Sequence, residues 1–195
     1  MKYVRSACVF CGGSPLVAKK YMDVARKLGN LLASKQIELV YGGANAGLMG
    51  AISNGAMEKK GRVLGFLPED LLSIEDGNTE ITQLTIVADM HERKRNMYIH
   101  SDVFIALPGG FGTLEELFEV MTYKAVGFFD KPIIVLNTDG YWDPLIKILD
   151  NIYAEKFADV GQKNMYSFVN TPEEVIDLLV KKDEKQEFIQ KIVQK

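Results

Sequence analysis

Two short stretches, DMHERK (89–94) and PGGFGTLEE (108–116), hold the residues best equipped for chemistry. In the second, Gly109, Gly110 and Gly112 permit a tight turn and close approach of a ligand to the backbone. The helix that follows turns its free N–H groups toward an anion. Thr113 is placed to begin and cap that helix, or to bond an anion oxygen. No lysine completes a P-loop, and the dinucleotide spacing counted from Gly110 requires a glycine where Glu116 stands. The pattern is an anion cradle with a carboxylate just beyond it. The structural alternative for Glu116 is a capping box with Thr113. In the first stretch Arg93, Lys94 and Arg95 gather with His91 near a helix start. Cations there oppose the helix dipole at about 0.3–1 kcal/mol per exposed charge. That points to a bound anion or an ion pair, the alternative being a solvated charged face.

The elements that position these residues alternate strand and helix. Strands are expected at 3–11, 37–41, 62–67, 83–87, 103–108, 131–137 and 166–170. Helices are expected up to about Ser34, across Leu48, Ile52, Ala56 and Met57, after an Asp89 N-cap, from about Thr113, over 143–154, and from about 172. Thr171 before Pro172 is an N-cap followed by a proline in the first turn. The segment 68–80 reads as a loop with room for a short helix, and 181–195 as a charged helix end. Short apolar strands without strict alternation imply a parallel sheet covered on both faces. The expected fold is α/β, a Rossmann-like doubly wound sheet in one domain spanning 1–195. Such sheets bind ligands beyond the carboxyl ends of their strands. CGGS (11–14), YGGANAGLMG (41–50), DMHERK and PGGFGT all fall there. Trp142, beside Tyr141, is expected to pack a loop against a helix.

Composition narrows the class. The 195 residues are 47% hydrophobic and carry a formal net charge of −3, which disfavours a broad nucleic-acid surface. The first residues have too short an apolar run for a signal peptide, and no stretch approaches the roughly 18 apolar residues of a membrane span. A cytoplasmic protein without membrane or nucleic-acid partners is expected. Cys8 and Cys11 form a CxxC inside a strand, where residues three apart face opposite sides, so buried thiols are expected rather than a redox or metal pair.

Together, CVFCGGSP (8–15), YGGANAGLMG (41–50), MHERK (90–94), PGGFGTLEE (108–116) and FDKPIIVLNTDGYWDPL (129–145) resemble the LOG ("lonely guy") family over essentially the whole chain. These are cytokinin-activating phosphoribohydrolases long labelled in bacteria as lysine decarboxylases. The resemblance implies a homodimer, with room for a higher oligomer, whose pocket is completed by the partner subunit. It implies hydrolysis of the N-glycosidic bond of a nucleoside 5'-monophosphate, AMP or its N6-prenylated form, without metal or cofactor. Carried over residue by residue, it makes Arg93 and Glu116 catalytic and Gly109, Gly110, Gly112 and Thr113 the phosphate loop, with Lys94 close by. Ser14, Gly42, Gly43, Met90 and Glu92 in the matching segments complete the pocket. Tyr123 and Phe129 depart from the family's tryptophan and histidine, near the expected base end or dimer contact. The decarboxylase label fits poorly, because that chemistry normally uses pyridoxal phosphate on a lysine. The alternative is a non-hydrolytic nucleotide or molybdenum-cofactor carrier.

Overall fold

A computed structural model describes residues 4–180, so Tyr3 and the expected charged helix end at 181–195 lie outside the described residues. Seven strands form one sheet: β1 (Ser6–Phe10), β2 (Glu38–Tyr41), β3 (Val63–Pro68), β4 (Gln83–Val87), β5 (Val103–Ala106), β6 (Ile133–Leu136) and β7 (Tyr166–Val169). Their spatial order is β4-β3-β2-β1-β5-β6-β7, and every pairing is parallel. The helices are α1 (Lys19–Ser34), α2 (Gly47–Glu58), α3 (Met90–Ile99), α4 (Phe111–Ala125), α5 (Asp143–Ala154) and α6 (172–180). The segment after β3 contains one 3-10 turn, Glu69–Ser73. The doubly wound expectation holds.

Strand periodicity sorts the core into two layers. Ala7, Val9, Leu39, Tyr41, Val103 and Ile105 face α1, α2 and α6. Cys8, Phe10, Val40, Phe104, Ala106 and Val135 face α3, α4 and α5. Both faces being covered explains why these strands read as apolar runs rather than alternating ones. In the second layer Phe10 stacks on Phe104 at 5.9 Å and Tyr98 meets both rings edge-on. Cys8 and Cys11 fall in opposite layers as buried free thiols, and burial raises the pKa of each. Trp142 is buried against α5, as its expected packing role requires.

Two helix starts follow their sequence signals. Asp89 accepts from the Glu92 N–H at 2.8 Å, while Glu92 Oε2 accepts from the Ala88 N–H at 2.7 Å. Thr171 Oγ1 accepts from the Glu174 N–H at 3.2 Å, and the Glu174 carboxylate takes the Asn170 N–H. The sheet order reverses between β1 and β5, whose carboxyl ends therefore flank the switch-point crevice.

Candidate active site

The loops leaving β1 and β5 meet at that reversal. Gly12 N–H donates to Pro108 O at 3.1 Å, tying CGGS to PGGFGT, and Leu48 N–H at the start of α2 donates to Gly12 O at 2.9 Å. The cavity they border is about 470 Å³. It is lined by Ser14, Gly42, Met90, Arg93, Gly109, Gly110, Gly112, Thr113 and Glu116 among the residues singled out from sequence.

Helix α4 begins at Phe111, with Gly110 as its N-cap, two residues earlier than expected. The glycine at 110 can take this place without a side chain, and Thr113 becomes the third helical residue instead of the cap. No side-chain cap bond forms there, so the capping box between Thr113 and Glu116 does not exist. Glu116 is thereby released from helix initiation. The N–H groups of Phe111, Gly112 and Thr113 have no acceptor among the described residues, the usual condition of a helix start. A Cβ on Gly110 or Gly112 would meet nothing within 4 Å, so both face open space. The helix dipole and three free donors favour an anion at this point.

Arg93 and Glu116 approach the cavity from α3 and α4. Only 7% and 8% of them are exposed, which is rare for charged side chains outside functional or paired sites. Arg93 Nε donates to Phe66 O at 3.1 Å and Nη2 to Gly42 O at 2.8 Å. Its Nη1 reaches only the Met90 sulfur, at 3.6 Å. Two of the three nitrogens are thus fixed to backbone, and the third has no oxygen partner among the described residues. Burial pushes the Glu116 carboxyl up to about 7, against the opposing pull of the Arg93 guanidinium. Carboxyls shifted toward neutrality in a cleft beside a fixed cation cluster at functional sites.

The charge run of DMHERKR separates in three dimensions. His91 and Arg95 are exposed, while Arg93 and Lys94 are buried. Lys94 lies one residue from Arg93 but turns to other partners. Its Nζ pairs with Glu115 and, at 3.0 Å, with Glu119, and it does not line the cavity. Glu119 also accepts from the hydroxyls of Tyr98 and, at 3.1 Å, Tyr123. Glu92 is taken by the α3 cap, and Gly43, at φ +85°, packs against the Phe66 backbone, so neither lines the cavity. Tyr123 and Phe129 also sit outside it, in the aromatic layer with Phe104. The residues missed from sequence include Tyr21, Met49, Glu75, Met97 and Tyr141. Glu75 Oε2 is buried without a hydrogen-bond partner. Five acidic residues between 68 and 80 gave no basis for choosing it. Tyr141 looked like packing because its neighbour is tryptophan.

Among the described residues, no cluster of His, Cys, Asp or Glu could hold a metal ion, and no helix is long and apolar enough to cross a membrane. Free helix N–H donors at the switch point, with a buried arginine and a near-neutral glutamate, form an anion-attracting cleft where doubly wound folds bind ligands. Residues 49–179 match the family model described as "Possible lysine decarboxylase". The chain is 42% identical over 175 residues to an Arabidopsis thaliana cytokinin riboside 5'-monophosphate phosphoribohydrolase, covering 90% of this chain and 81% of that protein. It is likewise 42% identical to a probable enzyme of the same name from Oryza sativa subsp. japonica, covering 90% and 72%. The chain belongs to this LOG family. Among solved structures it resembles a molybdenum cofactor binding protein from Rippkaea orientalis, at TM-score 0.68 and 25% identity over 93% of this chain and 98% of that one. The Chlamydomonas reinhardtii molybdenum cofactor carrier, at TM-score 0.68 and 20% identity over 91% and 98%, shares the fold.

Proposed function

We propose that this protein is a nucleoside 5'-monophosphate phosphoribohydrolase, acting on AMP or an N6-substituted AMP. The observation that carries the reading is the convergence of buried Arg93 and Glu116 beside the unpaired N–H groups that open α4. The relatives, named as phosphoribohydrolases of a cytokinin riboside 5'-monophosphate, supply the substrate class.

The phosphate sits at the start of α4, against the N–H groups of Phe111, Gly112 and Thr113. The rest of the cavity wall includes Val9, Val17, Leu48, Met49 and Met97, which suits a purine. Cleaving the C1'–N9 bond leaves positive charge on the ribose, which the Glu116 carboxylate stabilises. Water adds its oxygen to C1' and loses one proton to Glu116; that proton is passed on to the nitrogen of the departing base, which regenerates the carboxylate. The free Arg93 Nη1 holds the phosphate or ribose, or assists the leaving base. None of these steps uses a metal or an organic cofactor.

Leu16, Ile74 and Phe111, each a chain neighbour of a cavity-lining residue, are all largely exposed. Covering them with a second copy of the chain supports the homodimeric, partner-completed pocket implied by the family resemblance. Light scattering tests it: a strictly monomeric active species overturns it.

Incubation with AMP and with N6-isopentenyl-AMP should release free base and ribose 5-phosphate from at least one of them. A nucleotide that binds and survives intact would favour the carrier reading.

A further inference from the structure

A loop built to hold an anion has to keep its own carbonyl oxygens away from it, and each carbonyl preceding α4 is occupied. Pro108 O accepts from Gly12 N–H, Gly110 O from Leu114 N–H at 3.0 Å, and Gly109 O from the Tyr141 hydroxyl at 2.7 Å. The first two bonds are backbone. The third alone is made by a side chain, and it reaches across 32 positions of sequence. We infer that Tyr141 is a positioning residue of the anion cradle, holding the Gly109 carbonyl so that residues 109–113 present donors to a phosphoryl group.

The scaffold behind Tyr141 is built for this. After β6, Asn137 grips the chain twice: its Oδ1 accepts from Trp142 N–H at 2.6 Å and its Nδ2 donates to Asp143 at 2.8 Å. Tyr141 N–H donates to Thr138 O at 3.1 Å, across a turn in which Asp139 takes left-handed φ, +52°. The ring is braced edge-on by Tyr21 at 5.6 Å and by Trp142 at 4.8 Å. Tyr141 thus arrives in a fixed pose although 39% of it is exposed. The segment it holds has little slack: a Cβ on Gly109 would lie 2.1 Å from Thr113 Oγ1.

The inference deepens the phosphoribohydrolase reading and rests on it for the identity of the ligand. Tyr141→Phe keeps the ring and removes only the hydroxyl. With the full-length chain, calorimetric titration of ribose 5-phosphate should show a Kd raised about 3- to 10-fold, the loss of one neutral hydrogen bond. The KM for AMP should rise in parallel, with kcat within twofold and inhibition by free adenine unchanged. Equal weakening of ribose 5-phosphate and adenine, a fall in kcat alone, or no change in either ligand overturns the inference. If the wild type fails to hydrolyse either nucleotide yet its ribose 5-phosphate affinity depends on Tyr141, the proposed reaction falls and the cradle assignment stands. A wild type that binds no ribose 5-phosphate removes both.

Discussion

Arg93 and Gly42 are fitted to one another without room for a methyl group. The guanidinium Nη2 donates to Gly42 O at 2.8 Å, and a Cβ on residue 42 would lie 1.8 Å from that nitrogen. Gly42 therefore belongs to the site through its lack of a side chain rather than through a special backbone angle. Gly42→Ala pushes the flexible end of Arg93 aside and leaves the sheet intact. Loss of the hydrogen bond to a charged group costs about 1.5–3 kcal/mol of stability. Displacement of the guanidinium by about 1 Å lowers kcat/KM by roughly 100-fold. Steady-state kinetics of a variant that melts cooperatively checks this, and wild-type kcat/KM would sink it.

Glu116 makes stability and activity respond to pH in opposite directions. Its carboxyl lies at about 7 in the folded chain against an ordinary 4.5, chiefly through burial. Below pH 4.5 both folded and unfolded chains hold the proton and the group costs nothing. As pH rises from 4.5 to 7 the unfolded chain releases its proton first, so stability falls by on the order of 3 kcal/mol and then levels. The proposed reaction uses the carboxylate, so kcat/KM should climb up to tenfold per pH unit below about 7 and flatten above. Glu116→Gln should equal the wild type in stability near pH 4, exceed it at pH 8, and lose about 10²- to 10⁴-fold in kcat. Chemical denaturation at the two pH values decides it; a variant less stable at pH 8 would remove the buried-charge account.

Gly112→Ala separates folding from binding in a different way. A Cβ there meets no atom of the chain within 4 Å, and alanine suits the first turn of α4 better than glycine by up to about 1 kcal/mol. The melting temperature should hold or rise. The methyl group occupies space that the proposed function gives to the phosphate, so the KM for AMP should increase about tenfold or more. A lowered melting temperature with unchanged KM would place the ligand elsewhere.

Most of the architecture was legible because local chemistry and global topology agree. Apolar strands between amphipathic helices permit little besides a covered parallel sheet, and the Asp89 and Thr171 caps mark their helix starts. The start of α4 was misplaced because Thr113 is a better capping residue in isolation than Gly110. Tertiary packing against Gly109 gives Thr113 another task. Arg93 and Glu116 could be marked from motifs, whereas Tyr141 and Glu75 could not. They come to the site through long-range contacts, the hydroxyl on Gly109 O and the placing of Glu75 in the cavity wall, which leave no local pattern. Lys94 shows the converse: a motif neighbour of Arg93 whose side chain turns to other partners.

Lys94 is the place where a ligand and a counter-ion make different predictions. Burial opposes its charge, but hydrogen bonds to Glu115 and Glu119 outweigh that and raise its pKa. It balances the two carboxylates that flank Glu116 on α4. Lys94→Met leaves Glu119, only 21% exposed at its side chain, without its cation, and should cost about 3 kcal/mol. Adding Glu119→Gln to that variant should recover part of the loss; additivity within about 0.5 kcal/mol would deny the coupling. Around Glu116, Arg93 and Lys94 on α3 favour the ionised form, while Glu115 and Glu119 oppose it. Losing Lys94 should therefore move the rise of kcat/KM to higher pH, with ribose 5-phosphate affinity at pH 8 unchanged. A lysine bound to phosphate would give the reverse result, weaker ribose 5-phosphate binding and an unmoved pH profile.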